Sequence, residues 1–158
     1  MSRQDSITLM ALSLLVGLLT LVLPLPGGWE LSRPYLLALV LCYWLLEAPD
    51  RVGMGVAFAL GLLADVIAGT LLGEQALRLM VMAFLVQRFR ARLRFFPLWQ
   101  QAAAVLALLI NDRVIAQAIR FAAGDGLLPW LVWLAPLFGF LLWPWLFLLL
   151  DGLRLRAR

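Results

Sequence analysis

The sequence predicts an all-α polytopic membrane protein, about six transmembrane helices packed in one bundle. Its 158 residues are 65% apolar and only 14% charged, against about 45–50% and about 25% in a soluble domain. The wealth of aliphatic and aromatic residues excludes a disordered chain. Apolar runs follow one another with short breaks rich in Pro, Gly or Arg, at roughly 20 residues per span. One transmembrane domain over residues 1–158 accounts for the whole chain.

The first run, residues 7–25, is long enough to cross a bilayer and follows Arg3. A signal peptide has the same layout. However, Pro24-Leu25-Pro26-Gly27-Gly28 is not an Ala-x-Ala-like cleavage site and more spans follow, so this run reads as a retained first helix. The second, residues 35–48, lies between Pro34 and Pro49. It rises only about 21 Å, short of the roughly 30 Å hydrocarbon core. It must lean on Leu31–Arg33, sit in a thinned region, or be shielded by neighbouring helices. The third and fourth spans cover about residues 52–68 and 74–87, the fifth about 98–119 and the sixth 127–150. Pro129, Pro136 and Pro144 are expected to kink or trim the last.

Six spans place both termini on one side of the membrane, and arginine chooses the side. With the termini inside, Arg3, Arg51, Arg88, Arg90, Arg92, Arg94, Arg154, Arg156 and Arg158 are cytoplasmic, while the outer loops keep only Arg33 and Arg120. That asymmetry follows the positive-inside rule. The net charge of +4 then records topology, and no nucleic-acid partner is expected. The run Arg88-Phe89-Arg90-Ala91-Arg92-Leu93-Arg94 reads as a cytoplasmic basic loop that anchors topology, with anionic lipid or an acidic partner as the second reading. Trp130, Trp133, Trp143 and Trp145 look like interfacial aromatics.

The chain has no His, and all 13 of its basic residues are Arg. His general bases, His-ligated metals and Lys Schiff bases are therefore absent. The single Cys42 reads as a small buried hydrophobe. Neither a phosphate-binding loop nor a nucleophile elbow is present, so no catalytic residue, metal or cofactor is expected.

Ionisable residues at membrane depth each need a partner or a task. Steps of four give Gly53, Ala57, Gly61, Asp65, Gly69 and Gly73, a small-residue stripe of the kind that lets another helix approach closely. The stripe is a candidate for helix packing or a partner interface. A second candidate is a buried polar network of Asp65, Arg78, Asn111, Asp112 and Arg113, with Asp65 hydrogen-bonded or ion-paired to Arg78 or Arg113; the second readings are a proton or substrate site at Asp65 and a ligand-contacting wall at Asn111-Asp112-Arg113. Glu74 and Arg78 form a favourable helical pair and are not read as a site. A carboxylate dyad of Asp65 and Asp112 has no local support.

Several motifs in order resemble the MreD family of bacterial rod shape-determining membrane proteins. They are Ser32-Arg33-Pro34, Cys42-Tyr43-Trp44, Ala48-Pro49-Asp50-Arg51-Val52, Asp65-Val66-Ile67-Ala68-Gly69-Thr70-Leu71-Leu72-Gly73, Leu98-Trp99-Gln100-Gln101 and Leu142-Trp143-Pro144-Trp145. Arg33, Pro34, Asp65, Gly69, Gly73, Trp99, Trp143 and Pro144 match the family pattern by position. The first 28 residues and Asn111-Asp112-Arg113 are carried by none of these motifs. The resemblance implies a non-enzymatic scaffold or regulator of cell elongation in the bacterial cytoplasmic (inner) membrane. Its implied direct partner is MreC, with MreB, RodA and a penicillin-binding transpeptidase in the same complex; membrane lipid surrounds it, and a homodimer is left open. The resemblance also implies a fold similar to the substrate-binding subunits of energy-coupling-factor transporters. The alternative function is accordingly the substrate-capture membrane subunit of a small-molecule importer of that type.

Overall fold

The short run between Pro34 and Pro49 becomes the centre of the molecule. In the computed structural model, which describes residues 3–156, it forms α2 (Leu36–Glu47), and every residue from Leu37 to Leu46 is buried. A helix that is apolar all round needs cover on every face. It receives that cover from α1 (Arg3–Leu19), α4 (Glu74–Leu93) and α6 (Ala135–Arg156). Shielding by neighbours is thus how the short helix is accommodated, because a helix enclosed by longer ones has no lipid thickness to match. Of the arginines used above for topology, Arg158 lies outside the described residues.

The remaining helices are α3 (Met54–Ala68) and α5 (Leu98–Ala122); 3-10 turns occupy Pro26–Ser32 and Trp130–Leu134, and no strand occurs among the described residues. The stretches Leu98–Ala122 and Trp130–Arg156 are long and apolar enough to cross a membrane by length and composition. Helix α3 packs on α4, and α5 packs between α4 and α6.

Around α2 the core is aromatic as well as aliphatic. The Tyr43 ring meets Trp44 edge-on at 5.2 Å and Phe147 at 5.4 Å. The Trp44 Nε1–H donates to Ser13 Oγ at 2.8 Å and ties α1 to the centre. Trp143 is fully buried while Trp145 is 75% exposed, so the interfacial reading fails for Trp143. Adjacent helical residues point about 100° apart, and the one after next lands on the opposite side.

Helix ends differ from expectation. Helix α1 stops at Leu19, ahead of Pro24 and Pro26, rather than near residue 25, and α6 runs on to Arg156 rather than 150. Helix α4 continues through Arg88, Arg90 and Arg92 to Leu93, so most of the expected basic loop is the last turns of a helix. Arginine is a good helix former, and cations at a C-terminus complement the helix dipole. Helix α6 starts at Ala135 rather than at 127, because Pro129 precedes a separate 3-10 turn.

Candidate functional site

Asp65 sits in the last turn of α3 and is 1% exposed. The next helix explains why. Helix α4 begins after Gly73, which has no side chain to cap the free N–H groups of the first turn. Asp65 supplies that cap from the preceding helix. Its Oδ2 accepts from Gly73 N at 2.7 Å, and its Oδ1 accepts from Gln75 N at 2.9 Å and Thr70 Oγ1 at 2.8 Å. A carboxylate at a helix N-terminus also meets the positive end of the dipole. The chain reaches this arrangement through a tight turn whose ends, Gly69 (φ 66°) and Gly73 (φ 98°), lie in the left-handed region that favours glycine.

Asp65 therefore does not pair with Arg78 or Arg113, and the expected single polar network separates into two. The second centre joins α4 to α5. Arg78 donates to Asp112 through Nε at 2.9 Å and through Nη2 at 2.5 Å, a buried bidentate pair. The Arg78 Nη1 lies 3.6 Å from Glu74, whose Oε1 is also 3.8 Å from Arg120 Nε. Glu74, paired with Arg78 in the sequence but not read as a site, is buried beside it. Tyr35, at the head of α2, donates from its hydroxyl to Gln75 Oε1 at 2.7 Å, and its ring lies 5.1 Å from the Arg78 guanidinium carbon. This staple links the starts of α2 and α4 to the C-terminal half of α5. Asp65 and Asp112 are engaged by different partners, so the dyad is not formed.

Asn111 and Arg113 stand outside this centre, both partly buried. Arg113 makes no hydrogen bond or ion pair among the described residues. Sequence reasoning missed Tyr35, Gln75 and Arg120. The spacing of Glu74 and Arg78 was a visible signal for the cluster, but nothing local pointed to a tyrosine forty residues away.

The small-residue stripe divides as well. Ala57, Gly61 and Asp65 are buried on α3, whereas Gly53 precedes the helix and Gly69 and Gly73 form the turn. Gly61 marks the closest approach: a Cβ there would lie 2.5 Å from Ala76 N and 2.7 Å from Gln75 O. The middle of the stripe is thus occupied by α4 of the same chain, not free for a partner. At the opposite end of the bundle, Arg90 Nε donates to Leu46 O at 2.9 Å, Arg51 donates to Ser6 Oγ at 3.1 Å, and Arg154 pairs with Glu47. Arg88, Arg92 and Arg94 are exposed.

A family model described as rod shape-determining protein MreD matches residues 2–153. The chain is also 33% identical over 135 residues to the rod shape-determining protein MreD of Haemophilus influenzae, covering 85% of this chain and 83% of that one. No solved structure matches. The matches are to shape-determining proteins and lend no support to the importer-subunit reading. With the model spanning nearly the whole chain and the relative most of both lengths, the chain belongs to the MreD family of rod shape-determining proteins.

Proposed function

We propose that this protein is a non-enzymatic scaffold of the cell-elongation machinery in the bacterial inner membrane. It binds MreC directly and links MreB filaments to peptidoglycan synthesis by RodA and its penicillin-binding transpeptidase. The observation that carries the role in rod shape is the family match over residues 2–153. The named partners follow from the family resemblance. A scaffold needs a rigid frame, and the buried charges support that role: Asp65, Arg78 and Asp112 are all committed to bonds between helices.

The proposed topology has six spans with both termini cytoplasmic. It is supported by the gathering of Arg51, Arg90 and Arg154 at one bundle end, beside the exposed Arg88, Arg92 and Arg94. Likeness to energy-coupling-factor substrate-binding subunits belongs to the same proposal and rests on the resemblance alone.

The test is isolation of the protein from native membranes in mild detergent, followed by mass spectrometry of co-purifying proteins. Recovery of MreC with wall-synthesis enzymes is the expected result. Recovery of ATPase subunits without them would overturn the scaffold.

A further inference from the structure

A cleft of about 570 Å³ opens where α2 and α4 begin and α5 ends, at the bundle end opposite the arginine-rich one. Its size falls within the roughly 300–1,000 Å³ typical of ligand sites. Leu21, Leu23, Leu31, Leu128 and Val132 are among its apolar lining residues. Arg33, Arg78, Arg113 and Arg120 line the same cleft wall.

The charges on that wall do not cancel. Both oxygens of Asp112 are taken by Arg78. Glu74 is shared between Arg78 and Arg120 at 3.6 and 3.8 Å, and Arg120 Nε is buried without a hydrogen-bond partner. Arg33 donates to the carbonyls of Thr20 and Leu23, neutral groups that leave its charge uncompensated. Arg113 makes no hydrogen bond or ion pair among the described residues, and the carboxylate acting on it, Asp112, is already bonded to Arg78 through both oxygens. Glu30 is the one carboxylate on the cleft wall among those residues, and it is exposed.

A partly buried guanidinium without a counter-ion is costly. Its planar fork of donors fits a phosphate oxygen pair, and basic pockets between membrane helices suit anionic headgroups. We infer that the cleft binds an anion of the phosphate class, with Arg113 as its principal ligand and Arg33 and Arg120 beside it. The source is a lipid phosphodiester headgroup or free inorganic phosphate; the apolar lining residues can receive the start of an acyl chain. This inference is independent of the scaffold proposal.

Two arms separate the sources. In the first, delipidated full-length protein in detergent is melted with sodium phosphate or with sodium chloride at equal ionic strength, followed by tryptophan fluorescence. In the second, protein exchanged through phosphatidylglycerol or phosphatidylcholine nanodiscs is released for native mass spectrometry of retained phospholipid. Phosphate-specific stabilisation identifies the free anion, and selective phosphatidylglycerol retention identifies the headgroup. In either case Arg113→Gln weakens binding about 10-fold or more, the scale of lost charged hydrogen bonds, and Arg113→Lys recovers part of it. Arg113→Gln removes an unpaired charge, so its melting temperature without ligand stays at or above wild type. Glu30→Gln, which removes the opposing carboxylate, tightens binding a few-fold, a gain that misfolding cannot mimic. The inference is overturned if neither arm shows a response, or if the response persists unchanged in Arg113→Gln.

Discussion

Replacing Asp112 by Asn tests whether the α4–α5 staple is structural. The substitution keeps the shape but removes the charge, leaving Arg78 buried with Glu74 at 3.6 Å as its remaining counter-ion. Removing one member of a buried pair costs about 3–5 kcal/mol. Glu74 recovers part of the attraction, so about 2–3 kcal/mol is expected here. For a chain of this size that lowers Tm by about 4–12 °C. The assay is thermal unfolding of the purified protein in detergent, read by tryptophan fluorescence. Asp125→Asn, at an exposed site, serves as the control. A double change, Arg78→Met with Asp112→Leu, removes both charges and is expected to regain most of the loss, because well-packed apolar replacements of buried pairs are often neutral. A melting temperature of Asp112→Asn within about 1 °C of wild type would refute the reasoning. So would a double variant no better than the single one.

Three further outcomes follow from the same geometry. Asp65→Leu leaves several first-turn N–H groups of α4 without an acceptor, at about 1–3 kcal/mol for each buried donor, whereas Asp65→Asn keeps one acceptor and costs less; equal melting temperatures for the two would contradict the capping role. Gly61→Ala drives a Cβ into the backbone of Ala76 and costs about 1–3 kcal/mol, and adding Ala76→Gly does not rescue it, because the colliding atoms are backbone. Melting curves of the single and double variants decide that case. Changing Arg88, Arg90, Arg92 and Arg94 together to Gln weakens insertion or cytoplasmic docking; unchanged orientation by cysteine-accessibility mapping together with unchanged partner recovery on co-purification counts against it.

The helices were legible because apolar runs broken by Pro, Gly and Arg record where the chain is covered and where it turns. Helix α2 could be found but not placed: up to its last residue, Glu47, it is apolar on every side, a pattern that lipid and protein cover satisfy equally. The buried charges were legible as costly groups, since an ionisable side chain in an apolar run needs a partner. Their pairing was not. Asp65 and Arg78 look complementary in sequence, yet the turn at Gly69–Gly73 brings the backbone of the next helix to Asp65 first. Arg78, one turn into α4, is then left to Asp112 on α5. Sequence spacing gives the face of one helix, whereas pairing depends on which helix lies opposite.

That distinction governs how assembly experiments on this chain should be read. Small residues at intervals of four invite the conclusion that another protein's helix docks there. Here Gly61 already lies against Ala76 of the same chain. A variant at Gly61 that loses the proposed partner MreC has therefore lost the seating of α3 on α4 first, and partner loss follows without any contact between them. Val66, on the same helix, is 71% exposed and points away from α4's side of the stripe. A bulky substitution there leaves the α3–α4 contact intact. Partner loss at Val66 with an unchanged melting temperature would place the interface on the outer face of α3, while partner loss confined to variants that also melt early would place it on another helix.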